Sequence, residues 1–134
     1  MKDLIQSIKE ARFVWICGNG GSASTAEHLT NDLFSKGIKA ICLNSNTSIM
    51  TMIANDFGYD FTFSKQLMLY ADMEDMLITI SCSGTSDNIL NAQITAAVIG
   101  MKTYKFDVFA KGDKDYGKLE DKHLQLVHKI KKAL

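Results

Sequence analysis

Phe13-Val-Trp-Ile-Cys-Gly-Asn-Gly-Gly-Ser22 is the stretch that decides the fold. Its first part, FVWICG over 13–18, is a short apolar run closing on glycine, the pattern of a strand covered on both faces in a parallel sheet. Gly18 through Ser22 is a turn of glycines and small polar residues. From Ser22 to Phe34 the residues Ala26, Leu29 and Leu33 fall on one side of a helix, and Lys36-Gly37 supply the cation and glycine expected at its end.

Outward from this unit the pattern repeats. IKAICL, 38–43, is a second apolar run, followed by the loop Asn44-Ser45-Asn46. The spacing predicts helices over 47–55 and 61–70, split by Asp56-Phe57-Gly58. MLITIS, 76–81, is a third strand, and Ser86 to Ile99 a helix with Gly100 behind it. Residues 101–110 are strand-like but interrupted by Lys105 and Asp107, and a last helix is expected from about Lys118 to Lys132. At the front, Leu4, Ile5, Ile8 and Ala11 mark a short amphipathic helix over 2–11.

This alternation predicts one α/β domain over 1–134, a short helix in 1–12 preceding a core over 13–132. The fold class is a doubly wound, flavodoxin-like α/β/α sandwich on a mostly parallel sheet of four to five strands with right-handed crossovers. A chain of 134 residues has length for one buried core, not two. Ligands of such sheets sit at the carboxyl ends of the strands, which groups the turns at Gly18, Asn44 and Ser81.

A formal net charge of zero argues against a nucleic-acid partner, and the one basic concentration, Lys129, Lys131 and Lys132, fits a helix C-terminus. Cys17, Cys42 and Cys82 show no Cys-x-x-Cys spacing, so neither a disulfide framework nor a zinc knuckle is indicated and a reducing cytoplasm is expected. No apolar run approaches the roughly 20 residues of a membrane span, and the polar start does not read as a signal peptide.

The turn Gly18-Asn19-Gly20-Gly21-Ser22 lets backbone approach a ligand and turns helix-terminal N–H groups towards an anion. Counted to Ala23 it also satisfies G-x-G-x-x-G/A. The acidic residue that a dinucleotide needs after the second strand is absent, for Leu43-Asn44-Ser45 stands there. Ser81-Cys82-Ser83-Gly84-Thr85-Ser86 offers four hydroxyls beside a second helix start, a donor set suited to a phosphate monoester. The competing reading makes Ser86 an N-cap and the rest a turn. His28 and Asp32, four apart, share a helix face as an acid/base pair, as metal ligands, or as a surface pair. Glu120 and His128 are roughly 12 Å apart along the last helix, and His123 points elsewhere.

Together these residues resemble the phosphoheptose isomerase branch of the sugar isomerase (SIS) domain family. The likeness rests on Cys17-Gly-Asn-Gly-Gly-Ser22 with Ala26-Glu-His28, on Asn55-Asp56-Phe-Gly58, on Ser81-x-Ser83-Gly-x-Ser86 with Asn88, and on Glu120-x-x-His123-x-x-x-x-His128. The resemblance implies a cytoplasmic homo-oligomer, a tetramer or dimer. It would interconvert sedoheptulose 7-phosphate and a heptose 7-phosphate used for bacterial surface polysaccharide. It implies Asp32 as base and His128 as acid, and Zn2+ held by His28, Asp32, Glu120 and His128. The substrate would be held by Asn19, Gly20, Gly21, Ser22, Asn55, Asp56, Ser81, Ser83, Ser86 and Glu120. Asp32 and Glu120 depart from the glutamate and glutamine usual in the branch. The N-terminal helical segment and the stretch near Tyr104 are shorter than the family pattern. A non-catalytic SIS module that binds a sugar phosphate or a protein partner is the alternative.

Overall fold

The structure, a computed structural model, describes residues 1–106 and 115–134. Four strands, β1 (Val14–Gly18), β2 (Ala40–Cys42), β3 (Met76–Ile80) and β4 (Lys102–Lys105), form one parallel sheet in the order β2-β1-β3-β4. The helices are α1 (Lys2–Glu10), α2 (Gly21–Phe34), α3 (Thr47–Phe57), α4 (Ser64–Tyr70), α5 (Asp87–Ile99) and α6 (Tyr116–Ala133). Residues 107–110 of the expected fourth strand lie outside the described residues.

Strand alternation sorts the core into two layers. Val14 and Ile16 of β1 join Ile78 and Ile80 of β3 beneath α1, α2 and α6, where Leu29, Leu33, Val127 and Ile130 are packed. Trp15 and Cys17 point the other way with Leu77, against Leu67 of α4 and Ile89, Ala92 and Ala96 of α5. Each fully buried aliphatic side chain contributes about 1.5–3 kcal/mol, so a strand such as β1, buried along its whole length, anchors both layers at once.

Several boundaries differ from the sequence expectation. Helix α3 continues to Phe57 and stops at Gly58, whose φ of +103° an L side chain rarely adopts. The expected helix over 61–70 resolves into a 3-10 turn, Tyr59–Phe61, and the shorter α4. Helix α6 starts at Tyr116 because the Asp115 side chain accepts the Lys118 backbone N–H at 3.2 Å.

At the amino ends of β1 and β3 a buried carboxylate ties the sheet together. Asp75 accepts from Arg12 Nε and Nη2 at 2.9 and 2.8 Å, from Trp15 Nε1 at 2.8 Å, and from the Phe13 and Asp72 backbone N–H groups. Burial works to raise its pKa. The hydrogen bond from Trp15, followed by those from Asp72 and Arg12, outweighs that and holds the carboxyl below its ordinary value.

The order β2-β1-β3-β4 places the topological switch point between β1 and β3. There the chain leaves β1 for α2 on one face and β3 for α5 on the other.

Candidate active site

Strand β1 ends at Gly18 under steric compulsion, since a Cβ there would lie 2.5 Å from the Ser22 carbonyl oxygen and 3.0 Å from that of Ile80. Gly20 follows with φ +56°, which frees the turn to enter α2. Asn44 locks this turn. Its Nδ2 donates to the Gly18 carbonyl at 2.8 Å and its Oδ1 accepts the Gly18 N–H at 3.2 Å. The place where a dinucleotide fold carries a ribose-binding acid thus holds an amide engaged in shaping the glycine turn.

Asn19 and Asn88 exchange amide hydrogen bonds of 2.8 and 2.9 Å, joining the β1 turn to α5. Tyr59 adds a hydroxyl donated to Asn19 Oδ1 at 2.9 Å. In the β3 turn, Ser81 Oγ accepts from the Gly84 N–H and Ser83 Oγ from the Thr85 N–H. Both hydroxyls keep their hydrogens for a ligand. Ser86 occupies the N-cap position of α5, yet its side chain makes no cap bond.

These turns enclose a cavity of about 170 Å³ lined by Asn19, Ser22, Ser81, Ser83, Ser86 and Glu120, with Cys82 and Tyr116 beside them. A hollow of about 480 Å³ beside Trp15, Ile41 and Tyr70 is larger, but the α3 start that borders it is already capped by Asn46. The smaller cavity offers the Ser81, Ser83 and Ser86 hydroxyls at the α5 start, a donor set suited to an anion, with Ser22 Oγ of α2 3.9 Å from Cys82 Sγ. Burial pushes the Cys82 thiol up, opposed by its contact with Ser22 and reinforced by the charge of Glu120, so it lines the pocket as a neutral group.

Gly20 and Gly21 are not among the lining residues; Gly21 lies directly beneath the Glu120 carboxylate. Asn55 and Asp56 are exposed at the end of α3 and bonded to each other at 2.9 Å, away from the lining.

Helices α2 and α6 pack side by side, and the second group of candidates lies along their seam. His28 and His128 have ring centroids 5.2 Å apart, and His28 Nε2 stands 3.4 Å from Asp32 Oδ2. One ligand atom from each of His28, Asp32 and His128 falls within 4.8 Å of the others. Asp32 is buried and its Oδ2 has no hydrogen bond, while Oδ1 accepts from Lys131 Nζ at 2.6 Å. An orphaned buried carboxylate oxygen between two imidazoles suits a metal ion or a proton to be moved. Glu120 is not in this group; it lies about two turns away, over Gly21. His123 is fully buried with its ring 6.0 Å from that of Phe106.

Sequence reasoning missed three contributors. Tyr59 lies in a turn without a strong pattern, and Asn44 takes its role only from strand order. Lys131 sits in the last helical turn as expected for a dipole partner, but its ammonium reaches across to Asp32. Its spacing of three from His128 was the available signal.

A family model for the SIS domain matches residues 2–106. The phosphoheptose isomerase of Helicobacter pylori strain P12 is 44% identical over 106 residues, covering 75% of this chain and 55% of its own length. The chain therefore spans little more than half of that relative. The phosphoheptose isomerase of Campylobacter concisus strain 13826 is 31% identical over 147 residues, covering 96% of this chain and 78% of its own. Among solved structures, the phosphoheptose isomerase of Neisseria gonorrhoeae superposes with a TM-score of 0.87 at 28% identity, covering 98% of this chain and 80% of that one.

Proposed function

This chain belongs to the SIS-domain family, in its phosphoheptose isomerase branch, and we propose that it interconverts sedoheptulose 7-phosphate and D-glycero-D-manno-heptose 7-phosphate. The observation that carries this reading is the Asp32 carboxylate, buried with one oxygen unengaged and flanked by His28 and His128 on the α2–α6 seam.

Ketose–aldose isomerisation moves one proton between adjacent carbons through an enediol. Asp32 Oδ2 is the base that takes the proton from C1 of the ketose and returns it at C2, and His128 is the acid that serves the neighbouring oxygens. The phosphate rests on Ser81, Ser83 and Ser86 at the α5 start, with Asn19 and Ser22 beside it. Asn55 and Asp56 take part only where a second copy carries them to a site.

His28, Asp32 and His128 are the residues that would hold Zn2+, which would supply Lewis-acid stabilisation of the developing oxyanion. Exposed apolar residues on α4 and α5, including Met68, Leu69, Ile94 and Val98, favour a homo-oligomer. Three free, buried cysteines accord with a reducing cytoplasm. Among the described residues no helix is long and apolar enough to cross a membrane. The heptose product would serve bacterial surface polysaccharide.

Proton NMR in deuterium oxide tests the proposal. The chain should exchange the C1 proton of sedoheptulose 7-phosphate with solvent, and Asp32→Asn should abolish exchange while the circular dichroism spectrum is kept. Absence of exchange by the folded parent chain, with and without added Zn2+, overturns it.

A further inference from the structure

Asp32 divides its two oxygens between different partners. Oδ1 takes the 2.6 Å bond from Lys131 Nζ, and Oδ2 faces His28 Nε2 at 3.4 Å. Lys131 lies three residues beyond His128, with its side chain 42% exposed while that of Asp32 is 2% exposed. An ammonium therefore already sits against the one buried carboxylate of the group. A protonated lysine has donors and no lone pair, so it cannot itself become a ligand to a metal.

We propose that Lys131 is the resident cation of this site and keeps the metal affinity of His28, Asp32 and His128 low by neutralising Asp32 from its Oδ1 side. A divalent ion is drawn to two imidazoles and a carboxylate largely by the carboxylate's charge, and a fixed ammonium within a few ångströms both cancels that charge and repels the ion. Counting the imidazoles as neutral donors, the form a metal requires, Asp32 and Lys131 sum to zero. Among the described residues no second carboxylate joins the cluster, because Glu120 lies over Gly21 instead. The inference rests on the isomerase reading only for the identity of the site.

The test is a Co2+ titration of the full chain followed by visible d–d absorption, with Zn2+ added in competition. Lys131→Met should bind Co2+ at least about tenfold more tightly than the parent, which is about 1.4 kcal/mol. Lys131→Arg, which keeps the charge, should stay within about threefold of the parent, and Asp32→Asn in the Lys131→Met background should remove the gain. Lys131→Gln provides the same comparison should the methionine variant not fold. Equal or weaker binding by the folded charge-removing variant overturns the proposal, as does a parent chain that already holds Zn2+ with about nanomolar affinity. The titration reads metal and not turnover. An inactive isomerase thus leaves the proposal standing, and a failed titration leaves the isomerase reading standing.

Discussion

The Glu120 carboxylate lies directly over Gly21, so close that a Cβ built on that glycine would overlap it. An internal anion thereby occupies the first residue of α2, while the α5 start across the same cavity carries Asp87 in its first turn and places Ser81, Ser83 and Ser86 along the lining. Both helix starts thus have a carboxylate of the chain close by, and of the two it is Glu120 that lines the cavity and meets an incoming anion.

Glu120→Gln removes that internal charge without changing the side chain's shape. Inorganic phosphate and the sugar phosphate should bind several-fold more tightly, by about 1 kcal/mol, measurable by isothermal titration calorimetry. Unchanged affinity would mean that phosphate is not seated in this cavity.

Ser86→Ala separates capping from ligand binding. Because the Ser86 side chain makes no cap bond, urea denaturation should show a change within about 0.5 kcal/mol, while phosphate affinity falls about threefold or more. Loss of stability with intact phosphate binding would assign Ser86 to the helix instead.

Gly18→Ala should destabilise the fold by about 1–3 kcal/mol. The new methyl meets the Ser22 and Ile80 carbonyls, both backbone atoms that cannot rotate aside. Chemical denaturation at neutral pH measures the cost, and a neutral outcome would show that the β1 turn relaxes freely.

Asp75 links stability to pH. Its native carboxyl lies below the ordinary value, so the stability it contributes is fully present above the unfolded value of about 3.9. That contribution disappears as pH falls through the lower native value. Asp75→Asn should cost about 2 kcal/mol at pH 7 and show a shallower loss between pH 5 and the acid limit. Denaturation midpoints across that range decide it, and parallel curves for parent and variant would exclude the linkage.

What the sequence by itself determined is local and periodic. FVWICG, IKAICL and MLITIS are short apolar runs with no helical spacing, each closed by small polar residues, and that pattern alone implies buried parallel strands with ligand turns at their ends. The strand period puts Val14 and Ile16 on one face of β1 and Trp15 and Cys17 on the other, but which helical layer each face meets was decided by packing, since the run is apolar throughout. Tertiary structure decided the pairings between elements, because they depend on distances across the chain that no spacing encodes. The side of the sheet on which α6 docks brings Lys131 to Asp32 and Glu120 to Gly21, residues 99 positions apart in each case. His28 and Asp32 looked equally like a surface pair until α6 covered the seam and buried the carboxylate, for burial is set by the packing partner and not by the helix that carries the residue.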